Sequence, residues 1–188
     1  MIVSGEADNI RDGLALIKAK RPSVAILDIT LKGSSGLELL KDLRAAGIEV
    51  PVLVLSMHEE SLYAERALHA GARGYLTKHE ASEDVIVAIR QILRGDIYLN
   101  PAFMSQLASR MMKGNDQKAV QPINRLADRE LEVFEMIGHG LSSREIGEKL
   151  GLGVTTVDTY KTRIKEKLNL ENMTRLRSEA TRWVHDRE

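Results

Sequence analysis

Apolar residues in this chain follow two rhythms. Up to about residue 97, short apolar runs alternate with amphipathic stretches, and beyond residue 122 only a helical period remains. Val24-Ala25-Ile26-Leu27 reads as a strand buried on both faces, and it ends in Asp28. Val50-Pro51-Val52-Leu53-Val54-Leu55 is a second such strand, ending in Ser56. Arg73-Gly74-Tyr75-Leu76 is a third, followed by Thr77-Lys78, and Ile2-Val3-Ser4 is a further strand-like piece at the start. Ile10, Leu14 and Ile17 recur at helical spacing until Arg21-Pro22. Leu37, Leu40 and Leu43 mark a helix closed by Gly47, and Leu62, Arg66 and Ala67 one stopped by Gly71. Val85, Ile86, Ile89 and Ile92 face inward from another that ends at Gly95. Alternating strands and helices predict a parallel α/β sheet with helices on both faces.

The pattern then changes. Pro101 to Met112 reads as a short amphipathic helix, and Gly114-Asn115-Asp116-Gln117-Lys118 with Pro122 as a polar linker. The expected plan is an α/β domain over 1–97, a linker with a short helix over 98–122, and an all-α domain of four helices over 123–188. In the last, Leu131, Val133, Phe134 and Ile137 form an apolar face, with Glu130, Glu132 and Glu135 as the solvated side. Ser142-Ser143-Arg144-Glu145 is a capping box opening a second helix. Ile146 and Leu150 point inward from it, and Gly147 leaves room for a crossing helix. Gly151-Leu152-Gly153 makes a tight turn into a third helix, from Val154 to about Leu168. That is helix-turn-helix grammar. A fourth helix, near Met173 to His185, carries Leu176, Ala180, Trp183 and Val184.

Composition narrows the field a little. Apolar residues at 43% and charged residues at 29% are ordinary for a soluble globular protein. Lys and Arg balance Asp and Glu at 27 each, so whole-chain charge does not point to a polyanionic partner. The absence of cysteine excludes disulfides and thiolate metal sites and fits a reducing compartment. No apolar run approaches a membrane span and the N-terminus lacks a signal-peptide pattern, so the expectation is a cytoplasmic protein without a membrane partner.

The chemistry lies at the strand ends. A parallel sheet opens all its strand C-termini on one edge, which brings Asp28, Ser56 and Lys78 together. A carboxylate nucleophile, a hydroxyl donor and an ammonium are what acyl-phosphate chemistry on Asp needs. Singly each is bland: Asp often ends a strand, Ser caps a helix, and a loop Lys is solvated. Their arrival at three consecutive strand ends is the signal. In the third C-terminal helix, at about 100° per residue, Val157, Ile164 and Leu168 share a core side. Thr155, Thr159 and Thr162 lie opposite, with Asp158 and Arg163 at the edges and Lys161, Lys165 and Lys167 on the flanks. Short polar residues in front and lysines alongside suit a major groove, bases ahead and phosphates beside. From Val154 to Leu168 four Lys/Arg against two Asp/Glu give +2. A merely solvated face would favour Glu-Lys pairs over threonines.

These residues carry two resemblances. Leu27-Asp28 with Gly33 and Gly36, Val54-Leu55-Ser56, and Gly71 through Lys78 resemble the receiver domain of two-component response regulators. The resemblance implies a flavodoxin-like fold and Asp28 as acceptor of a phosphoryl group from a sensor histidine kinase. Ser56 and Lys78 would bind that group, Tyr75 would be the rotating aromatic of the switch, and the Thr30 carbonyl would join Asp28 in holding Mg²⁺. Lys32 and His79 stand where the family favours proline. A receiver also carries a strand and helix ahead of Ile2, whose acidic pair holds Mg²⁺, and Glu6 and Asp8 follow the wrong strand to replace it. The expectation is therefore an N-terminally shortened sequence with an incomplete Mg²⁺ site. In the strand order 2-1-3-4-5, the Ile2 and Val24 strands would face a gap of roughly 9–10 Å. They would close up, recruit a partner's strand or leave edges exposed.

The second resemblance covers the whole C-terminal domain. Leu126 with Arg129-Glu130-Leu131-Glu132-Val133, Gly140 through Gly147, Thr156-Val157-Asp158-Thr159-Tyr160 and Lys167-Leu168 resemble the LuxR-type helix-turn-helix of NarL/FixJ response regulators. It implies double-stranded DNA as partner, with Asp158, Thr159 and Thr162 at base-reading positions beside Thr155 and Thr156. Lys161, Arg163 and Lys165 would contact phosphate. Asp158 stands where a lysine is expected, and a carboxylate there accepts from cytosine N4. Ala127 replaces a capping Thr, so the cap is expected to pass to Asp128. In the family the last helix pairs protomers into a homodimer. That implies an interface of Leu176, Ala180 and Trp183, although a Trp also suits the domain's own core.

The leading expectation is a phosphorylation-controlled transcription regulator, not an enzyme. The alternative is a constitutive DNA-binding regulator with a degenerate receiver that takes no phosphate. A sensor of acyl-homoserine lactones would want an aromatic-rich pocket, and the N-terminal half offers only Tyr63, Tyr75, Tyr98 and Phe103. An Asp-nucleophile hydrolase would want a second Asp as acid, which Asp28-Ile29-Thr30 lacks.

Overall fold

The computed structural model describes residues 1–31, 33–57, 60–79, 81–112 and 122–186, without side chains at 60–62, 81–83, 110 and 111. Residues 113–121 of the linker expected over 98–122, and loop position Lys32, lie outside the described residues. By its internal contacts the chain divides into two units, Met1–Asn115 and Asp116–Glu188.

The first unit alternates as the apolar runs predict: α1 (Ile10–Lys20), β1 (Ala25–Asp28), α2 (Gly36–Ala45), β2 (Val52–Ser56), α3 (Glu60–Ala70), β3 (Gly74–Thr77), α4 (Ala81–Leu93) and α5 (Pro101–Met112). The strands form one parallel sheet in the order β1-β2-β3. Leu27 pairs with Val54 and Val54 with Tyr75, so these three share a face, and all are buried. Leu53 and Leu76 point the other way into a cluster with Ala88, Ile89 and Ile92 of α4. The outer edge of β3 is covered, because Tyr75 N–H donates to the Tyr98 carbonyl and Tyr98 N–H to that of Arg73.

Three expectations need correction here. Ile2-Val3-Ser4 forms no strand, and Ile2 is 97% exposed. A strand persists only where a neighbour takes up its hydrogen bonds, and β1 pairs with β2 alone among the described residues. Nor is β1 buried on both faces: Leu27 is buried but Ile26 is 51% exposed. The α4 cluster on that face reaches Leu53 and Leu76 but not Ile26. In α4, Ile86 is exposed. The buried stripe of Ala88, Ile89 and Ile92 has helical spacing, and Ile86 falls off it.

The second unit contains a 3-10 turn (Pro122–Arg125), α6 (Asp128–Gly138), α7 (Ser143–Leu150), α8 (Val154–Lys167) and α9 (Met173–His185). The α7–α8 turn depends on Gly151, whose φ of 65° lies in the left-handed region that favours glycine. Gly147 does provide room, for the Leu152 carbonyl of that turn, 2.6 Å from where a Cβ would sit, and for Val157 Cγ2 of the crossing α8 at 3.8 Å. The cap of α6 does not move to Asp128. Ala127 remains the N-cap, and its N–H donates to Glu130 Oε2 at 2.7 Å.

The Glu130 and Glu132 side chains are not solvated; both are buried. Glu132 Oε2 accepts from Arg129 Nη1 at 2.5 Å, and Arg129 Nη2 donates to the Leu150 carbonyl at 2.9 Å. Lys167 Nζ donates to Glu130 Oε2 at 2.6 Å, tying the end of α8 to the start of α6. A helical wheel exposes these glutamates only if nothing packs over them. Leu176 and Ala180 are likewise fully buried, so they line this unit's own core and are not presented to a second protomer. Trp183 is half-buried and meets Phe134 edge-on, with centroids 5.7 Å apart and planes at 64°.

Gly36 positions the strand end in the first unit. A Cβ there would sit 2.1 Å from the Asp28 carbonyl oxygen. Gly36→Ala is expected to destabilise this unit by about 2–3 kcal/mol through backbone displacement. Chemical denaturation should show an earlier transition for that unit alone; an unchanged transition would contradict the close approach.

Candidate functional sites at the sheet edge and on helix α8

The parallel register fixes the first site. Asp28 lies opposite Leu55 and Ser56 opposite Thr77, so Asp28, Ser56 and Lys78 end consecutive strands on one edge. Lys78 Nζ donates to Asp28 Oδ2 at 2.5 Å across 50 residues of sequence. Thr30 N–H donates to Asp28 Oδ1 at 3.1 Å, so both carboxylate oxygens are held. Asp28 and Lys78 side chains are each about one-third exposed, which leaves the carboxylate open to a reagent. Ser56 is buried, its carbonyl accepting from Lys78 N–H at 2.7 Å, and Tyr75 is buried on β3.

Mg²⁺ is the ion expected at this edge. That ion takes near-octahedral oxygen ligation, usually with one or two carboxylates. Among the described residues no group of three His, Cys, Asp or Glu converges. Among the described residues, the Asp28 carboxylate at this edge faces the Lys78 ammonium and the Thr30 amide.

The second site is the outer face of α8. Thr155, Thr156, Asp158, Thr159, Thr162 and Arg163 are exposed, and Lys165 is half-buried. Thr159 Oγ1 donates to the Thr155 carbonyl at 2.9 Å and Thr162 Oγ1 to the Asp158 carbonyl at 3.1 Å. With their protons so used, these threonines offer methyl groups and oxygen lone pairs outward. Lys161 departs from the expected flank. It is only 7% exposed, and its Nζ donates to Ser143 Oγ at 2.6 Å. Ser143 Oγ in turn donates to Asp158 Oδ1 at 2.6 Å. The wheel angle placed Lys161 beside the groove face, but packing against α7 draws its stem inward. Sequence reasoning used Ser143 only as part of a capping box. That box does form: Ser142 N–H donates to Glu145 Oε2 and Glu145 N–H to Ser142 Oγ. The Ser142 hydroxyl, donating to Glu145 Oε2 at 2.6 Å, and then the Ser142 N–H hold the Glu145 carboxyl below its ordinary value.

A parallel α/β unit with an Asp–Lys pair at its strand ends, followed by a helix-turn-helix, is the build of a receiver joined to a DNA-binding domain. The comparisons agree in both halves. Residues 1–90 match the response regulator receiver domain, and residues 124–180 match the bacterial regulatory proteins of the luxR family. The virulence-factor transcription regulator BvgA of Bordetella pertussis is 37% identical over 175 residues, covering 93% of this chain and 82% of that protein. The response regulator GacA of Pseudomonas aeruginosa is 34% identical, covering 89% of this chain and 78% of that protein. Among solved structures, the RcsB response regulator of Salmonella typhimurium superposes with a TM-score of 0.60 at 22% identity, over 96% of this chain and 84% of that one. The chain belongs to the two-component response regulators of the NarL/FixJ type, transcription regulators with a receiver and a LuxR-type DNA-binding domain. No helix among the described residues is long and apolar enough to cross a membrane.

Burial holds the Lys161 ammonium below the ordinary lysine range, with Asp158 opposing and Arg177 adding to the shift. The unfolded chain therefore binds more protons at this group, so its contribution to stability rises with pH toward the unfolded value, about 10.4. Thermal melts of the wild type and Lys161→Met should converge as pH rises toward the unfolded lysine value. A constant offset would assign Lys161 no such linkage.

Proposed function

We propose that Asp28 is the phosphoacceptor of this regulator and that a sensor histidine kinase supplies the phosphoryl group. A carboxylate oxygen of Asp28 attacks phosphorus, an O–P bond forms, and the N–P bond to the kinase imidazole breaks with its electron pair kept by nitrogen. Lys78 offsets charge on the transferred group, the Ser56 hydroxyl binds one of its oxygens, and Tyr75 carries the switch. The observation supporting this reading most directly is the 2.5 Å contact between Lys78 Nζ and Asp28 Oδ2 at the C-terminal strand edge. The modules are residues 1–97 for the receiver, 98–122 for the linker and 123–188 for DNA binding.

On DNA, α8 enters the major groove of the duplex. Asp158, Thr159 and Thr162 read bases, with Thr155 and Thr156 beside them, while Arg163 and Lys165 contact phosphate. Outward threonine methyls suit thymine, and the Asp158 carboxylate suits cytosine N4. The protein acts in the cytoplasm as a homodimer. With Leu176 and Ala180 buried, the exposed side of α9 through Thr174, Ser178 and Thr181 is the face left for pairing. A second reading is a regulator that binds DNA without phosphorylation.

Two measurements test these readings. Incubation with acetyl phosphate and Mg²⁺ should add one phosphoryl mass to the chain and none to Asp28→Ala; DNA binding without that mass change would favour the second reading. Thr159→Ala should relax sequence preference, whereas Lys165→Ala should weaken all sites and lower the salt slope by about one. Equal losses on specific and random DNA for both variants would contradict the assigned roles.

A further inference from the structure

We propose that Ser143 and Lys161 are positioning residues for base reading: the Ser143 hydroxyl, gripped by Lys161, locks the Asp158 carboxylate on the outer face of α8. The inference rests on the proposed base contact by Asp158. Lys161 Nζ donates to Ser143 Oγ at 2.6 Å, and Ser143 Oγ lies 2.6 Å from Asp158 Oδ1. An ammonium only donates and a hydroxyl has one proton, so the Lys161 bond commits that proton to Asp158. The chain of bonds thus has one polarity, Lys161 to Ser143 to Asp158, with a charge at each end.

An aspartate exposed on a helix otherwise samples several rotamers, and fixing one on DNA costs side-chain entropy. Here α7 fixes it beforehand, which is preorganisation of a recognition group. Oδ1 is taken by Ser143, and Oδ2 is left as the acceptor for a cytosine N4 amino group. Lys161 serves this arrangement from inside the α7–α8 seam, where only 7% of the residue meets solvent. It is therefore not one of the phosphate-neutralising cations, and its loss releases no counterion.

The test uses the full chain and duplexes selected by it from a random double-stranded pool, then altered one base pair at a time. Asp158→Ala should reduce discrimination at one C·G pair by roughly tenfold. Ser143→Ala should reduce discrimination at that same pair, and Ser143→Thr, which restores the hydroxyl, should recover it. Lys161→Met should reduce discrimination at that pair while leaving the salt slope unchanged. Loss of discrimination with Asp158→Ala but not with Ser143→Ala would overturn this inference alone. So would a uniform loss on every duplex with Ser143→Ala, failure of Ser143→Thr to rescue, or a salt slope lowered by about one in Lys161→Met. Undiminished discrimination in Asp158→Ala would overturn the base contact itself, and this inference with it.

Discussion

The parallel register of β1, β2 and β3 is the constraint on which the receiver unit depends. Because Asp28 faces Leu55 and Ser56 faces Thr77, three residues scattered over half the unit end on one edge. Shifting any strand by one residue would turn its side chains to the other face and dissolve the site. Register is held by the two buried faces, Leu27, Val54 and Tyr75 on one and Leu53 and Leu76 on the other. Gly36 adds a second hold, since its contact with the Asp28 carbonyl admits no side chain. The Asp28–Lys78 pair is a consequence of that packing. Its partial exposure makes it a modest contributor to stability and an accessible carboxylate.

The helix-turn-helix unit is held differently. Arg129 joins Glu132 and the last carbonyl of α7, and Lys167 joins Glu130. Buried charges are costly unless each is paired and hydrogen-bonded, and here they tie α6 to both α7 and α8. The same economy recurs nearer the surface, where Lys161 and Asp158 meet through one hydroxyl. Ionic contacts in this unit thus link α6 to α7 and to the end of α8, while the buried Val157 and Ile164 anchor α8.

The strand-helix alternation, the domain plan's two rhythms and the identity of the strand-end residues could be read from the chain because they are local. Period-2 and period-3.6 patterns, Gly151 at a left-handed turn and Ser142 with Glu145 at a helix start act over a few residues. Motif likeness supplied the family. What misled was the assumption that polar means exposed and that an apolar run means buried on both sides. Glu130, Glu132 and Lys161 are buried, and Ile26 and Ile86 are exposed, because neighbours distant in sequence decide which face is covered.

The sequence by itself determined that Asp28, Ser56 and Lys78 would meet, since parallel strands leave their C-terminal ends only one edge to share. It also determined that α8 would turn threonines outward. Only tertiary structure decided that Leu176 and Ala180 belong to the core, that Ile2-Val3-Ser4 stays outside the sheet of the described residues, and that Lys161 reaches Ser143 instead of solvent. Those outcomes depend on what packs across from a residue, and a pattern along one chain segment carries no record of the opposite surface.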